Sequence, residues 1–148
     1  MGYRYFTVAE ANALLPLLED RILLLQRLLR EGRQHAEASE RIRAVGRRAD
    51  GRLIMQADYR LERQAVRQLL REGRGVVAEL EALGCQLRDV ETGIVDFPTL
   101  LEGRDAMLCW QIGESYVGHY HGVHDGFGDR RPLAPESHSL PAGRRRPR

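Results

Sequence analysis

The chain has 148 residues, 43% of them hydrophobic, which suffices for one globular domain with a buried core. All 23 basic residues are arginine, and the net charge of +2 divides unevenly: residues 1–88 hold 16 arginines against 12 acids, whereas residues 89–129 hold one arginine, Arg104, against eight acids. Residues 1–133 sum to −1, which excludes a broad phosphate-binding face; only the arginines of residues 134–148 could touch nucleic acid, nonspecifically and with strong salt dependence.

Cys85 and Cys109 are too few for a disulfide framework or a zinc knuckle. Two thiols and a start, MGYRYFTVAE, without a charged-then-apolar leader predict a cytoplasmic protein. The richest apolar run, LLPLLEDRILLLQRLL, is interrupted by Glu19, Asp20 and Arg21, so no membrane span is expected.

The first element opens on Thr7-Val-Ala-Glu10, a capping box with Phe6 placed as a staple. Val8, Ala11, Leu15, Leu18, Ile22, Leu25 and Leu29 then follow 3-4 spacing, a heptad seam; Leu14, Leu17, Leu24 and Leu28 widen it. Pro16 inside the pattern predicts a kink or a restart of the helix. After Arg30 the pattern fades, and residues 32–52 read either as a frayed extension or as a separate short helix. Arg47–Gly51 is the expected turn. A second helix follows over about 52–83 on Leu53, Ile54, Ala57, Leu61, Ala65, Leu69, Val76, Leu80 and Leu83, weakened at Gly73 and Gly75 and capped by Gly84.

The period then changes to alternation. Short strands are expected at Cys85–Val90, at Ile94–Phe97 with Pro98 as the stop, at Ala106–Ile112 and at Tyr116–His121. Three or four antiparallel strands are unstable alone and need the helices as cover. The predicted fold class is therefore α+β: a long antiparallel helical hairpin (7–84) packed on a small antiparallel sheet with a glycine-rich loop (85–133), as one domain, followed by a disordered Arg/Pro-rich tail at 134–148.

Several motifs carry a family likeness. They are Phe6-Thr-x-x-Glu10-Ala-Asn12-x-Leu-Leu-Pro-Leu-Leu18, Leu83-Gly84, Gly93-Ile-Val-Asp-Phe-Pro98, Leu108-Cys-Trp110, Gly113-Glu114, His121 and Gly126-Phe-Gly-Asp-Arg130. In this order, over most of residues 5–133, the chain resembles the Domain of Unknown Function 2203 family of uncharacterised bacterial proteins. Gly128-Asp129 stands where a common form of the last motif has Ala-Gly. The resemblance implies no activity.

The chemistry-bearing residues gather in 93–131. His119 and His121 sit at i and i+2 of a predicted strand and project from one face, close enough to share an ion. Glu114, His124, Asp125 and Asp96 are the groups nearest in sequence that could complete a set. The expected divalent-metal ligands are thus His119, His121, His124, Asp125 and Glu114, with Glu114 or Asp125 as general base. Cys109, on the face opposite Trp110, is a candidate nucleophile beside those histidines. The spacing Gly113-x5-His119-x-His121-x3-Asp125 imitates a cupin motif, but a cupin needs about eight strands and this chain begins with helices. Each residue also has a plain structural reading: the histidines as hydrogen-bonded strand residues, Asp96 as a cap of the following loop, Trp110 as core, Arg130 and Arg131 as internal ion-pair partners. No nucleotide-binding glycine motif occurs. Two functions compete. One is an interaction or scaffold protein, homodimeric or partner-binding through the hairpin; the other is a divalent-metal module or small metal-dependent hydrolase.

Overall fold

The computed structural model describes residues 4–134; the expected disordered tail lies almost wholly outside them. Helix α1 spans Val8–Ala44 and α2 spans Gln56–Ala82. Five strands follow: β1 (Gln86–Asp89), β2 (Ile94–Leu101), β3 (Arg104–Gln111), β4 (His119–His121) and β5 (Arg131–Pro132), with a 3-10 turn at Phe127–Asp129 before the last. The residues group into two compact units, Leu23–Val76 and the remainder.

Helix α1 starts where its capping box dictates. Thr7 Oγ1 accepts from the Glu10 N–H at 3.1 Å, and Glu10 Oε1 accepts from the Thr7 N–H at 3.0 Å. The helix then runs unbroken through Pro16, where the sequence predicts a kink or restart. Pro16 faces solvent while Leu15 and Leu18 beside it are buried, so packing holds the turn across the missing donor. The seam is buried at Val8, Ala11, Leu15, Leu18, Ile22 and Leu25, but the next buried residue is Leu28, and Leu29 is exposed. A straight helix drifts about 20° per heptad, and that drift moves burial from Leu29 to Leu28.

In the Leu23–Val76 unit, α1 extends as one helix to Ala44, longer than its fading apolar pattern suggests. The hairpin is antiparallel: Leu25 lies 3.9 Å from where a Gly73 side chain would begin, and His35 Nδ1 meets Glu62 Oε2 at 2.5 Å. An Arg47–Leu53 bridge closes the apex, with Gly46 and Gly51 in the left-handed region. Because Leu53 is spent on that bridge and its N–H is taken by Gln56 Oε1, α2 begins at Gln56 and not near residue 52. Ile54 and Leu61, expected in the core, are exposed.

In the other unit α2 ends at Ala82 and is followed by Gly84, whose φ of 96° suits glycine alone and whose vicinity is closed by Arg4 and Phe6. The sheet is antiparallel in the order β1-β2-β3-β4-β5. The fifth strand is two residues long and emerges from the end of the glycine loop, too short to show as alternation in the sequence. A two-residue turn, Glu102-Gly103, joins β2 to β3 with positive φ at both positions, as tight hairpins require.

Strand β2 also corrects an expectation, because Pro98 does not stop it. The Pro98 carbonyl accepts the Phe6 N–H at 2.7 Å, so that edge of the residue, and the donor it lacks, points away from β3. Strand β1 ends opposite Asp96, and the Phe6 segment takes over from there. No ladder hydrogen bond is lost. Phe6 packs edge-on against Phe97 at 5.4 Å and its carbonyl accepts the Thr99 hydroxyl at 2.6 Å. The helix-facing side of the sheet, Val95, Phe97, Ala106, Leu108 and Trp110, is fully or nearly fully buried. Among the described residues, no helix is long and apolar enough to cross a membrane.

Candidate metal centre

The opposite face of the same three strands carries the chemistry. In the register Asp96 of β2 faces Cys109 of β3, Cys109 faces His119 of β4, and His121 follows two residues on, opposite Met107. Alternation therefore places Asp96, Cys109, His119 and His121 on one side of the sheet. Three of them converge: Asp96, Cys109 and His121 each offer a ligand atom, and these atoms all lie within 4.8 Å of one another. All three are buried, at 1%, 0% and 2% exposure.

The hydrogen bonding of this trio is incomplete in a specific way. His121 Nδ1 lies 2.8 Å from the Gly122 carbonyl, which can only accept, so Nδ1 carries a proton. That leaves Nε2 as the ligating nitrogen, 3.0 Å from Asp96 Oδ2 yet without a well-directed hydrogen bond. The distance alone would suggest an ion pair; the direction is poor, and a close contact without alignment is weak. Asp96 Oδ2 accepts from Arg88 Nε at 2.8 Å, while Oδ1 is buried with no partner among the described residues. Burial pushes the Cys109 thiol up to about 12, the Asp96 carboxylate adds to the rise, and Arg130 works against it. A thiol so placed is a poor free nucleophile.

Glu114 and Arg130 flank the centre. Glu114 Oε1 accepts from the Gln111 N–H at 2.7 Å and from Arg130 Nη1 at 2.9 Å, and Arg130 stacks on the Phe127 ring at 4.1 Å. Arg130 thus pairs internally, with Glu114 and not with its neighbour Asp129. Trp110 is core, as its alternation predicts, and its Nε1–H donates to the Glu114 carbonyl.

Of the five ligands expected from sequence, only His121 joins the cluster. His119 turns to Glu114, with Nδ1 3.6 Å from Oε2. His124 is exposed, and Asp125, also exposed, accepts the Gly122 N–H in the loop. They fall away because the strand ends at His121: beyond it the loop no longer alternates, so nearness in sequence stops meaning nearness in space. Asp96, able to complete the set by sequence but not one of those five, is the ligand that the structure brings in. The signal was there, a carboxylate inside the apolar run Ile94–Phe97, where charge is rarely buried without a purpose. Beside Asp96 opens a cleft of about 350 Å³ lined by Arg88, Ile94, Val123, His124, Asp125 and Phe127, among others.

Compared with known proteins, the chain matches no curated protein and no solved structure. A family model does match, over residues 4–133, and covers every element that builds this centre. The chain belongs to the family described as Uncharacterized conserved protein (DUF2203).

Proposed function

We propose that the protein is a metal-binding module in which Asp96 Oδ1, Cys109 Sγ and His121 Nε2 hold one divalent ion of the zinc type. The observation that carries the reading is the pair of buried, unpartnered atoms, Asp96 Oδ1 and His121 Nε2, converging with a buried thiol. A proton on Nε2 would answer Oδ2 but leave Oδ1 without a partner among the described residues, while the thiol lies against the Asp96 and Arg130 side chains. A cation answers all three. Sulfur, nitrogen and oxygen together suit zinc and exclude calcium and magnesium, which take oxygen. Tetrahedral zinc needs ligand atoms about 3.3–3.8 Å apart, so the trio has to contract by up to about 1.5 Å. Its outer partners are in place: the Gly122 carbonyl on His121 and Arg88 on Asp96. Three protein ligands leave a fourth position for water or a ligand, the arrangement of zinc sites that act on substrates.

The test is titration of chelator-treated protein with zinc, manganese, iron and nickel while following the melting temperature, with elemental analysis of untagged protein. Zinc at one equivalent raises the melting temperature of the native chain and of His124→Ala, and not of Asp96→Asn or His121→Ala. Equal stabilisation of all four proteins sinks the reading.

A second reading, self-association of two copies through the helices, is favoured by the exposure of Leu23, Leu61 and Leu70, at 56%, 64% and 51%. Leu61→Glu is the informative variant, since Leu25 is buried inside the hairpin and its replacement would damage the fold. A native chain that light scattering finds monomeric removes this reading.

A further inference from the structure

From the cleft beside the centre we infer the class of ligand that the metal module takes: a small oxyanion with a short apolar body, either a carboxylate or a phosphate monoester. The inference rests on the metal reading above and adds a second anchor to it.

Arg88 supplies that anchor. Its Nε is fixed by Asp96 Oδ2 at 2.8 Å, while its two terminal nitrogens have no partner among the described residues. About half of the side chain is exposed, and it lines the cleft. A guanidinium oriented through one nitrogen and open at the others is preorganised for bidentate contact with an oxyanion. Asp96 lines the same cleft, so the carboxylate that would hold the ion and the guanidinium border one space. An oxyanion there places one oxygen on the metal and another on Arg88. The remaining wall explains the apolar body: Ile94, Val123 and Phe127 line it, and Phe127 is held by the Arg130 stack. The volume, at the small end of the range for ligand sites, limits that body to about the size of one ring. Asp125 at the rim is tied to the Gly122 N–H; as a negative charge it disfavours ligands with a second exposed anionic group.

The experiment is isothermal titration of the zinc-loaded full chain with benzoate and with phenyl phosphate, benzyl alcohol serving as the neutral control. One or both anions bind at one equivalent, at least tenfold tighter than to chelator-treated protein, and benzyl alcohol does not. Whichever anion binds tighter names the source, carboxylate or phosphate. Val123→Asp, a rim residue outside the metal trio, weakens the anion at least tenfold while zinc content stays unchanged. Zinc uptake without anion binding, equal binding of benzyl alcohol, or an unchanged affinity in Val123→Asp overturns the inference and leaves the metal reading standing. Failure to take up zinc removes the metal reading, and this inference with it.

Discussion

Arg88 Nε donates to Asp96 Oδ2 across 2.8 Å, so a carboxylate buried in β2 is held by a half-exposed guanidinium from the edge strand β1. Removing one partner of a fully buried pair costs about 3–5 kcal/mol; solvent screening of Arg88 brings the expectation for Arg88→Leu to about 2 kcal/mol. In the proposed centre zinc would take over part of the carboxylate charge, so the expected loss is smaller in zinc than in chelator. Denaturant unfolding in the two buffers measures it, and an identical loss in both counts against the metal centre.

The drift of the α1 seam separates two adjacent leucines. Leu28→Ala removes a buried side chain and costs about 2–5 kcal/mol, whereas Leu29→Ala, at an exposed position, costs less than about 1 kcal/mol. A strict heptad predicts the reverse order. Urea midpoints of the two variants decide between them.

Gly93 and Gly103 both have positive φ, but only Gly93 is crowded: a Cβ there runs into the Ile112 side chain, while nothing lies within 4 Å at Gly103. Gly103→Ala carries backbone strain alone, about 1–2 kcal/mol. Gly93→Ala adds overpacking of about 1–3 kcal/mol, part of which Ile112→Ala restores. Thermal unfolding of both single variants and the Gly93→Ala/Ile112→Ala pair tests the distinction.

Two carboxylates make stability fall in acid. The Thr7 N–H and hydroxyl hold Glu10 below its usual 4.5, and the Thr92 hydroxyl and N–H hold Asp89 below its usual 3.8. A carboxylate whose folded pKa is depressed stabilises above its unfolded pKa, and that contribution disappears as pH falls through the folded value. Glu10→Ala therefore melts lower than the native chain at pH 7, and the gap closes below about pH 4. Melting curves from pH 2.5 to 7 follow the gap; a constant difference refutes the linkage.

The helices and the alternation of β3 were legible because period and caps are local: Thr7 with Glu10, Gly84 after Leu83, Trp110 facing the core. Pro98 escapes a local reading because its outcome depends on Phe6, more than ninety residues away, whose N–H donates to the Pro98 carbonyl. The candidate site was legible in half. His121 and Cys109 stood out by type, but their partnership with Asp96 is set by the β2–β3 register, which a single sequence does not contain. His124 and Asp125 were drawn in by proximity along the chain, and the strand's end at His121 removed them.

The alternation of β3 has a consequence for how variation in this chain is to be read. Ala106, Leu108 and Trp110 answer to the helices, while Cys109, between the last two, answers to Asp96 and His121. Core packing and the proposed ion site thus place two different demands one residue apart on a single strand. Saturation mutagenesis along it, scored for abundance and for metal content, should give two profiles out of phase: abundance tolerating conservative replacement of Cys109 where metal content does not, and both falling together at Leu108 and Trp110.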